Sequence, residues 1–250
     1  VRRKVRLLNV DVDDISMEEL VETFRQGVVL TLHVDSLMKL QKDPDFYRLL
    51  PQFDVITCDS QILTAASHLL RTPLRERVSG SDYFPLFYKR YKDDPSVTVF
   101  ICGGAPGVAE TARRKVNAKV GREIVVGTSA PPLDFESSPA ELDRLFAEIN
   151  ASGATVLMVG LGGGRQEKFI FNYRDRMPGV RLFLPLGGTI DYEAGRIKRP
   201  SPWVTNAGLE WLYRLLREPK LRWRRYLLNH PPVLYLISRQ LLGMYRNPFA

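Results

Sequence analysis

The sequence predicts an α/β protein, a mostly parallel sheet with helices on both faces, followed by a C-terminal helical appendage. Three observations carry this. Short runs of Val, Ile and Leu alternate with helical patterns up to about residue 195. Those runs are apolar on both faces, as strands between two helix layers are. After Gly195 the pattern changes: prolines break the chain and acids almost vanish.

The candidate strands, in order, are Lys4–Val10, Val28–Val34, Asp54–Cys58, Val97–Cys102, Glu123–Val126, Thr155–Gly160 and Arg181–Leu186. Between them, Ser16 and Glu19 form a capping box ahead of Leu20–Phe24. Ser138, Pro139 and Glu141 open the helix Leu142–Ile149. Helices Val108–Lys119 and Lys168–Met177 start at glycine-rich turns. Strand–helix–strand repeated in this way gives a parallel sheet. Ligands of such sheets bind beyond the carboxyl ends of the strands. Past Gly195, Pro200 and Pro202 interrupt the chain, and Asn206 is placed to cap a helix through Leu216 that ends at Pro219. A break is expected at Pro231-Pro232, before a last helix carrying Val233 to Leu242. The expected division is an α/β domain over 1–195 and a basic, amphipathic appendage over 196–250.

Charge follows the same division. The 250-residue chain has a formal charge of +8, but residues 196–250 alone hold 11 Lys and Arg against two acids, Glu210 and Glu218. The body is near neutral, so the tail is the part that meets an anion. Cys58 and Cys102 both lie in apolar strands and read as reduced core thiols of a cytoplasmic protein. No signal-peptide pattern opens the chain, and no apolar run approaches the roughly 20 residues of a spanning helix. A chain opening on Val1 is expected to lack an N-terminal element.

Several groups fall at strand ends. Asp59 closes the strand Asp54–Cys58 and is either a functional acid or the N-cap of the next helix. Thr31 and His33 leave another strand on one face. His33 is either a site residue or a satisfied, half-buried histidine. Two glycine turns, Cys102-Gly-Gly-Ala-Pro-Gly107 and Gly160-Leu-Gly-Gly-Gly-Arg-Gln-Glu167, open helices, where N–H groups and the helix dipole suit a phosphate. Tight chain reversal is the alternative. Neither turn completes a dinucleotide fingerprint or a P-loop, which weakens a dinucleotide oxidoreductase as the competing reading. A third glycine pair precedes Asp191, in Leu186-Gly-Gly-Thr-Ile-Asp191. In the tail, Arg214, Arg217, Arg222, Arg224 and Arg225 stand among Trp211, Tyr213, Trp223 and Tyr226. Arginine suits phosphate, and Trp and Tyr suit a membrane interface. A non-catalytic adaptor for membrane or nucleic acid would use the same tail and would leave Thr31, Asp59 and Gln166 without a role. His33, His68 and His230 lack ligand spacing, so no metal site is expected.

Laid end to end, these parts resemble the WecG/TagA/CpsF glycosyltransferases (glycosyltransferase family 26) from about Val28 to Tyr226. The most specific segments are Glu76-Arg-Val-Ser-Gly-Ser-Asp82 and Gly208-Leu-Glu-Trp-Leu-Tyr-Arg-Leu-Leu-Arg-Glu-Pro219, with Ala194-Gly-Arg-Ile-Lys-Arg-Pro200 between them. The resemblance implies a Rossmann-like core of the GT-E type and an inverting, metal-independent transfer without a cofactor. The donor is a UDP-hexose; UDP-glucose, UDP-N-acetylmannosamine and its uronic acid all fit. The acceptor is a sugar on polyprenyl diphosphate, and the product feeds a surface polysaccharide or wall polymer. It further implies a peripheral place on the inner face of the cell membrane, an anionic lipid surface as partner and no nucleic acid; a homo-oligomer is compatible with it.

Carried over residue by residue, the resemblance makes Asp59 the general base, with Thr31 and His33 beside it. It gives the donor Gly103, Gly104, Gly107, Gly160, Gly162, Gly163, Arg165, Gln166, Glu167, Gly187, Gly188 and Asp191. It gives the acceptor diphosphate and membrane Arg77, Arg199, Arg214, Arg217, Arg222, Arg224 and Arg225. The sequence departs from the family pattern at His33 (usually Asn), at Ser60 (usually Gly) and at Gly163-Gly-Arg165, where a Pro is usual. These departures bear on the donor sugar.

Overall fold

The computed structural model describes residues 2–199, 204, 210–217 and 219–250. The side chains of Trp211, Arg214, Arg217, Arg222, Arg224, Arg225 and Tyr226 lie outside the described part, as does Asn206.

The first expected strand is a hairpin. β1 (Lys4–Leu7) and β2 (Val10–Asp13) pair antiparallel in a sheet of their own. The reversal falls at Leu8-Asn9, where Leu8 takes a φ of 55°. Asn9 is the only turn-favouring residue at this reversal, and the apolar, buried Leu8 beside it makes the stretch read as a single strand. The hairpin lies beside the sheet edge, where the Asp13 carboxylate accepts from the Ile56 N–H at 2.8 Å.

Six strands then form one wholly parallel sheet: β3 (Gly27–Leu32), β4 (Val55–Cys58), β5 (Val99–Gly103), β6 (Val125–Ser129), β7 (Val156–Gly160) and β8 (Leu182–Leu184). Their spatial order is β4-β3-β8-β7-β5-β6. Alternate residues go to opposite cores. Leu30, Phe100, Leu157 and Phe183 point into one. Val29, Val99, Val156 and Leu182 point into the other. That is why the strands read as apolar on both faces.

Helices α1 (Met17–Thr23), α5 (Gly80–Arg90), α6 (Val108–Val120) and α9 (Gly187–Ala194) bury residues in the second core. Helices α2 (Val34–Lys39), α3 (Pro44–Arg48), α4 (Gln61–Leu69), α7 (Pro139–Ala151) and α8 (Arg165–Tyr173) cover the first. The serine halves of the expected capping boxes form, Ser16 accepting from the Glu19 N–H at 3.1 Å and Ser138 from the Glu141 N–H at 3.4 Å, while the Glu19 and Glu141 carboxylates pair with Arg75 and Arg144. Neighbouring strands β5 and β7 send α6 and α8 to opposite faces, and β3 and β8 do the same with α2 and α9. Helices that diverge like this leave crevices at the carboxyl edge of the sheet.

The C-terminal segment forms α10 (Glu210–Arg217) and α11 (Pro219–Leu241). The break expected at Pro231-Pro232 is absent, because α11 runs through both prolines. Each proline deletes a helix hydrogen bond, at a cost of about 3 kcal/mol. Tertiary packing offsets this: Val233 and Ile237, one turn apart, are buried in the core that contains α2. The end of the chain is fastened to the body. Gln240 accepts from the Leu8 N–H at 2.8 Å and donates to the Arg6 carbonyl at 2.9 Å. Tyr245 donates to Gln41 at 2.6 Å. The stretch expected as a separate appendage thus shares the body's core at its far end. Among the described residues, no helix is long and apolar enough to cross a membrane.

Candidate active site

Side-chain chemistry gathers at the carboxyl ends of β3, β4 and β8. The Asp59 N–H is tied to the Leu32 carbonyl at 2.8 Å, which sets this residue beside the end of β3. Asp59 does not cap α4. Ser60 does, accepting from the Leu63 N–H at 3.3 Å. The Asp59 carboxylate accepts instead from Arg77 Nη1, at 3.1 Å to Oδ1, and from the Gly80 N–H, at 3.3 Å to Oδ2. Gly80 begins α5, so a helix N-terminus and a guanidinium both complement this charge. The side chain is 23% exposed, which lets a ligand reach it.

Gly80 is also the point of closest packing. A β-carbon there would stand 2.5 Å from Leu186 Cδ2 and 3.4 Å from Thr31 Oγ1. Only glycine lets the start of α5 descend onto Thr31 and the end of β8 while holding Asp59. Thr31 is buried on β3, opposite Thr57 in the register. His33 is the N-cap of α2. Its Nδ1 accepts from the Ser36 N–H at 3.1 Å, and the Ser36 hydroxyl returns a bond to the His33 carbonyl at 2.9 Å. Part-exposed at the strand end, His33 combines a local structural task with a position on the carboxyl edge of the sheet.

The glycine turns converge on the adjacent stretch of the same edge. Gly103 and Gly160 are register partners, and the Gly104 N–H donates to the Gly160 carbonyl at 3.0 Å. A β-carbon on Gly103, whose φ is 109°, would lie 2.4 Å from that carbonyl oxygen. One on Gly160 would lie 2.4 Å from Ile190 Cδ1 and 3.1 Å from the Gly187 Cα. The ends of β5 and β7 and the start of α9 therefore meet closely. Gly107 and Gly164 cap α6 and α8, and Gly187-Gly188 begin α9, so three helix N-termini address this part of the edge. Gly104, Gly162 and Gly163 are exposed there.

Gln166 lines this convergence. Its Nε2 donates to the Pro185 carbonyl at 2.8 Å and to Glu167 Oε1 at 3.0 Å, which fixes the orientation of the amide. Its Oε1 is buried and finds no protein donor among the described residues. That oxygen lies 3.1 Å from where a Gly187 β-carbon would stand. Glu167 serves the helix start instead, accepting from the Gly164 N–H at 2.5 Å. Burial pushes its carboxyl above the usual carboxylate range, against the lowering effect of its hydrogen bonds and of Lys39. Arg165 is tied to Glu136 at 2.7 Å, and Asp191 to Arg196 at 3.3 Å. Cys58 and Cys102 are free, buried thiols directly before the two halves of the edge; burial pushes them up to about 11 and about 12.

Two of the expected acceptor arginines are held by carboxylates. Arg77 is shared between Asp59 and Asp82, the latter at 3.1 Å, and Arg199 contacts Asp82 at 3.2 Å and Glu193 at 3.4 Å. Asp82 and Glu193 were not singled out by sequence reasoning. Asp82 stood in a segment marked as specific, but only Arg77 was drawn from it. Nothing in the spacing of Glu193 marks it. The model of the glycosyl transferase WecG/TagA/CpsF family matches residues 5–247, which takes in the hairpin, the whole sheet and nearly all of the C-terminal segment.

Proposed function

Because this chain belongs to the WecG/TagA/CpsF glycosyltransferase family, we propose that it transfers a hexose, with inversion, from a UDP-sugar to a saccharide on polyprenyl diphosphate, with Asp59 as general base. The observation that carries this is the setting of Asp59. It sits at a strand's carboxyl end, leaves the capping of the helix that follows to Ser60, and shares the carboxyl edge of the sheet with converging glycine turns.

Inversion takes one displacement at the anomeric carbon. Asp59 accepts the proton of the acceptor hydroxyl as that oxygen forms the new bond, and the bond to UDP breaks. The departing diphosphate gains negative charge. The N–H groups at the starts of α6, α8 and α9 are the donors placed to stabilise it. The buried Gln166 Oε1 supports a nucleoside in this half, since it needs a donor such as a hydroxyl or an imide N–H, which a phosphate cannot supply. Thr31, beside Gly80, is positioned to orient the sugar.

The acceptor side of the proposal draws on the tail. Leu228, Leu234, Tyr235 and Leu241 on α11, and Leu242 just after it, all lie more than half exposed, whereas Val233 and Ile237 are buried. An apolar outer stripe beside a basic segment suits an anionic bilayer, where each Lys or Arg near the surface adds about 1 kcal/mol. The cytoplasmic leaflet is the proposed location. The test is turnover by Asp59→Asn, with UDP release measured for UDP-glucose and UDP-N-acetylmannosamine on a synthetic polyprenyl-diphosphate sugar. Retention of more than about a tenth of kcat, a barrier change below roughly 1.4 kcal/mol, removes Asp59 as base.

A further inference from the structure

A chain of alternating charge leads away from Asp59. Its carboxylate meets Arg77 at 3.1 Å, Arg77 meets Asp82 at 3.1 Å, and Asp82 meets Arg199 at 3.2 Å. Arg199 meets Glu193 at 3.4 Å, and Glu193 meets Lys119 at 2.7 Å. Arg199 also donates to the Ser81 carbonyl, which fixes it on the first turn of α5. Burial is uneven along the ladder. The Arg77 and Glu193 side chains are 13% and 2% exposed, whereas Asp82 and Arg199 are 43% and 38% exposed. The two buried charges cannot fall back on water, so their half-exposed partners contribute to their settings, as the buried Tyr88 hydroxyl does for Glu193 at 3.2 Å.

The geometry at Arg77 matters most. One terminal nitrogen reaches Asp59 and the other reaches Asp82. A guanidinium otherwise prefers to grip one carboxylate with both nitrogens. Such a grip would occupy both Asp59 oxygens with a permanent cation and leave a poor proton acceptor.

We infer that Asp82 and Arg199 are positioning residues for the reaction: Asp82 holds one arm of Arg77 away from Asp59, and Arg199 holds Asp82. Arg199 stands four residues beyond the C-cap of α9, where the C-terminal segment leaves the sheet. The seating of that segment is thereby linked to the carboxylate at the end of β4. The catalytic consequence rests on the reading of Asp59 as base; the ladder itself does not.

The test pairs side-chain nitrogen NMR of the full chain with kinetics. The Arg77 guanidinium signal is assigned by its loss in Arg77→Lys. Asp82→Asn and Arg199→Gln should each move or broaden that signal, although two guanidinium groups have no acceptor with which to bond each other, and Asp82→Glu should bring it back. With UDP-glucose or UDP-N-acetylmannosamine and the synthetic acceptor, Asp82→Asn should lower kcat at least ~10-fold with donor KM within ~2-fold, and Asp82→Glu should recover most of it. An Arg77 signal unmoved by Arg199→Gln overturns the ladder. A moved signal with unchanged kcat overturns the positioning role. Full activity in Asp59→Asn would sink the base assignment alone, leaving the NMR arm to decide the ladder. Should Asp82→Asn fail to fold, the half-exposed Arg199→Gln carries both arms.

Discussion

The two halves of the candidate site are built by different means. At β3 and β4 the candidate groups are side chains, with Asp59, Arg77 and Asp82 held by ionic partners and by the start of α5. At β5, β7 and the start of α9 they are backbone, where Gly103 meets the Gly160 carbonyl at a distance no β-carbon tolerates and Gly160 packs tightly on Gly187. A side chain can be neutralised in place, whereas a backbone contact cannot be altered without moving the strand. Substitutions in the first half should therefore change rate with the fold intact, and those in the second should change fold and donor binding together.

The sharpest test of that contrast is Asp59→Asn. It should lower kcat by about 10²–10⁴-fold, the range of a general base, with the melting temperature nearly unchanged. Loss of fold instead would make Asp59 structural and erase the contrast. Next comes Gly103→Ala, which meets both a left-handed φ and the Gly160 carbonyl. A cost of about 2–4 kcal/mol in chemical denaturation is expected, with UDP affinity falling in parallel. A stable variant that binds UDP normally would show that the strand ends can part. Gln166→Met then asks whether the nucleoside half uses any side chain. UDP binding by calorimetry should weaken about tenfold, roughly 1.4 kcal/mol, with the acceptor KM unaltered. The smallest effect concerns Glu167. Its carboxyl is raised by burial, so the folded state holds its proton more tightly than the unfolded chain does. Its ionisation therefore costs stability as pH rises from the unfolded value near 4.5 through the higher folded value. The stability of Glu167→Gln relative to wild type should grow across that window and then level off; a difference that is flat with pH contradicts it.

The layers of this fold were legible because they rest on local patterns. Strands apolar on both faces and the caps at Ser16 and Ser138 signal themselves within a few residues. Two local signals misled. Leu8 is apolar and buried, so the hairpin reversal resembled an uninterrupted strand. Pro231-Pro232 predicted a break that the burial of Val233 and Ile237 overrides. At the site, the strand-end positions of Asp59 and the glycines were readable from spacing. Their partners were not, because contact between residues far apart in sequence leaves no periodic trace. Asp59 meets Arg77 18 residues later, and Asp82 meets Arg199 across 117 residues. Arg165, expected at a phosphate, is tied to Glu136 on the 3-10 turn before α7.

The stitch between the chain's two ends changes how the membrane role can be probed. Deleting everything after Gly195 would strip Val233 and Ile237 from the core, so lost vesicle binding and a damaged body would arrive together. Changing Leu234 and Leu241 to Glu alters only the outer stripe. It should weaken binding to phosphatidylglycerol vesicles by at least about tenfold, with stability held within roughly 0.5 kcal/mol. The same stitch supplies a gauge. The Leu8 amide is shielded by the Gln240 side chain rather than by a strand partner, so its hydrogen-exchange rate, read at a single position near the amino end, registers whether the last helix is docked or lifted.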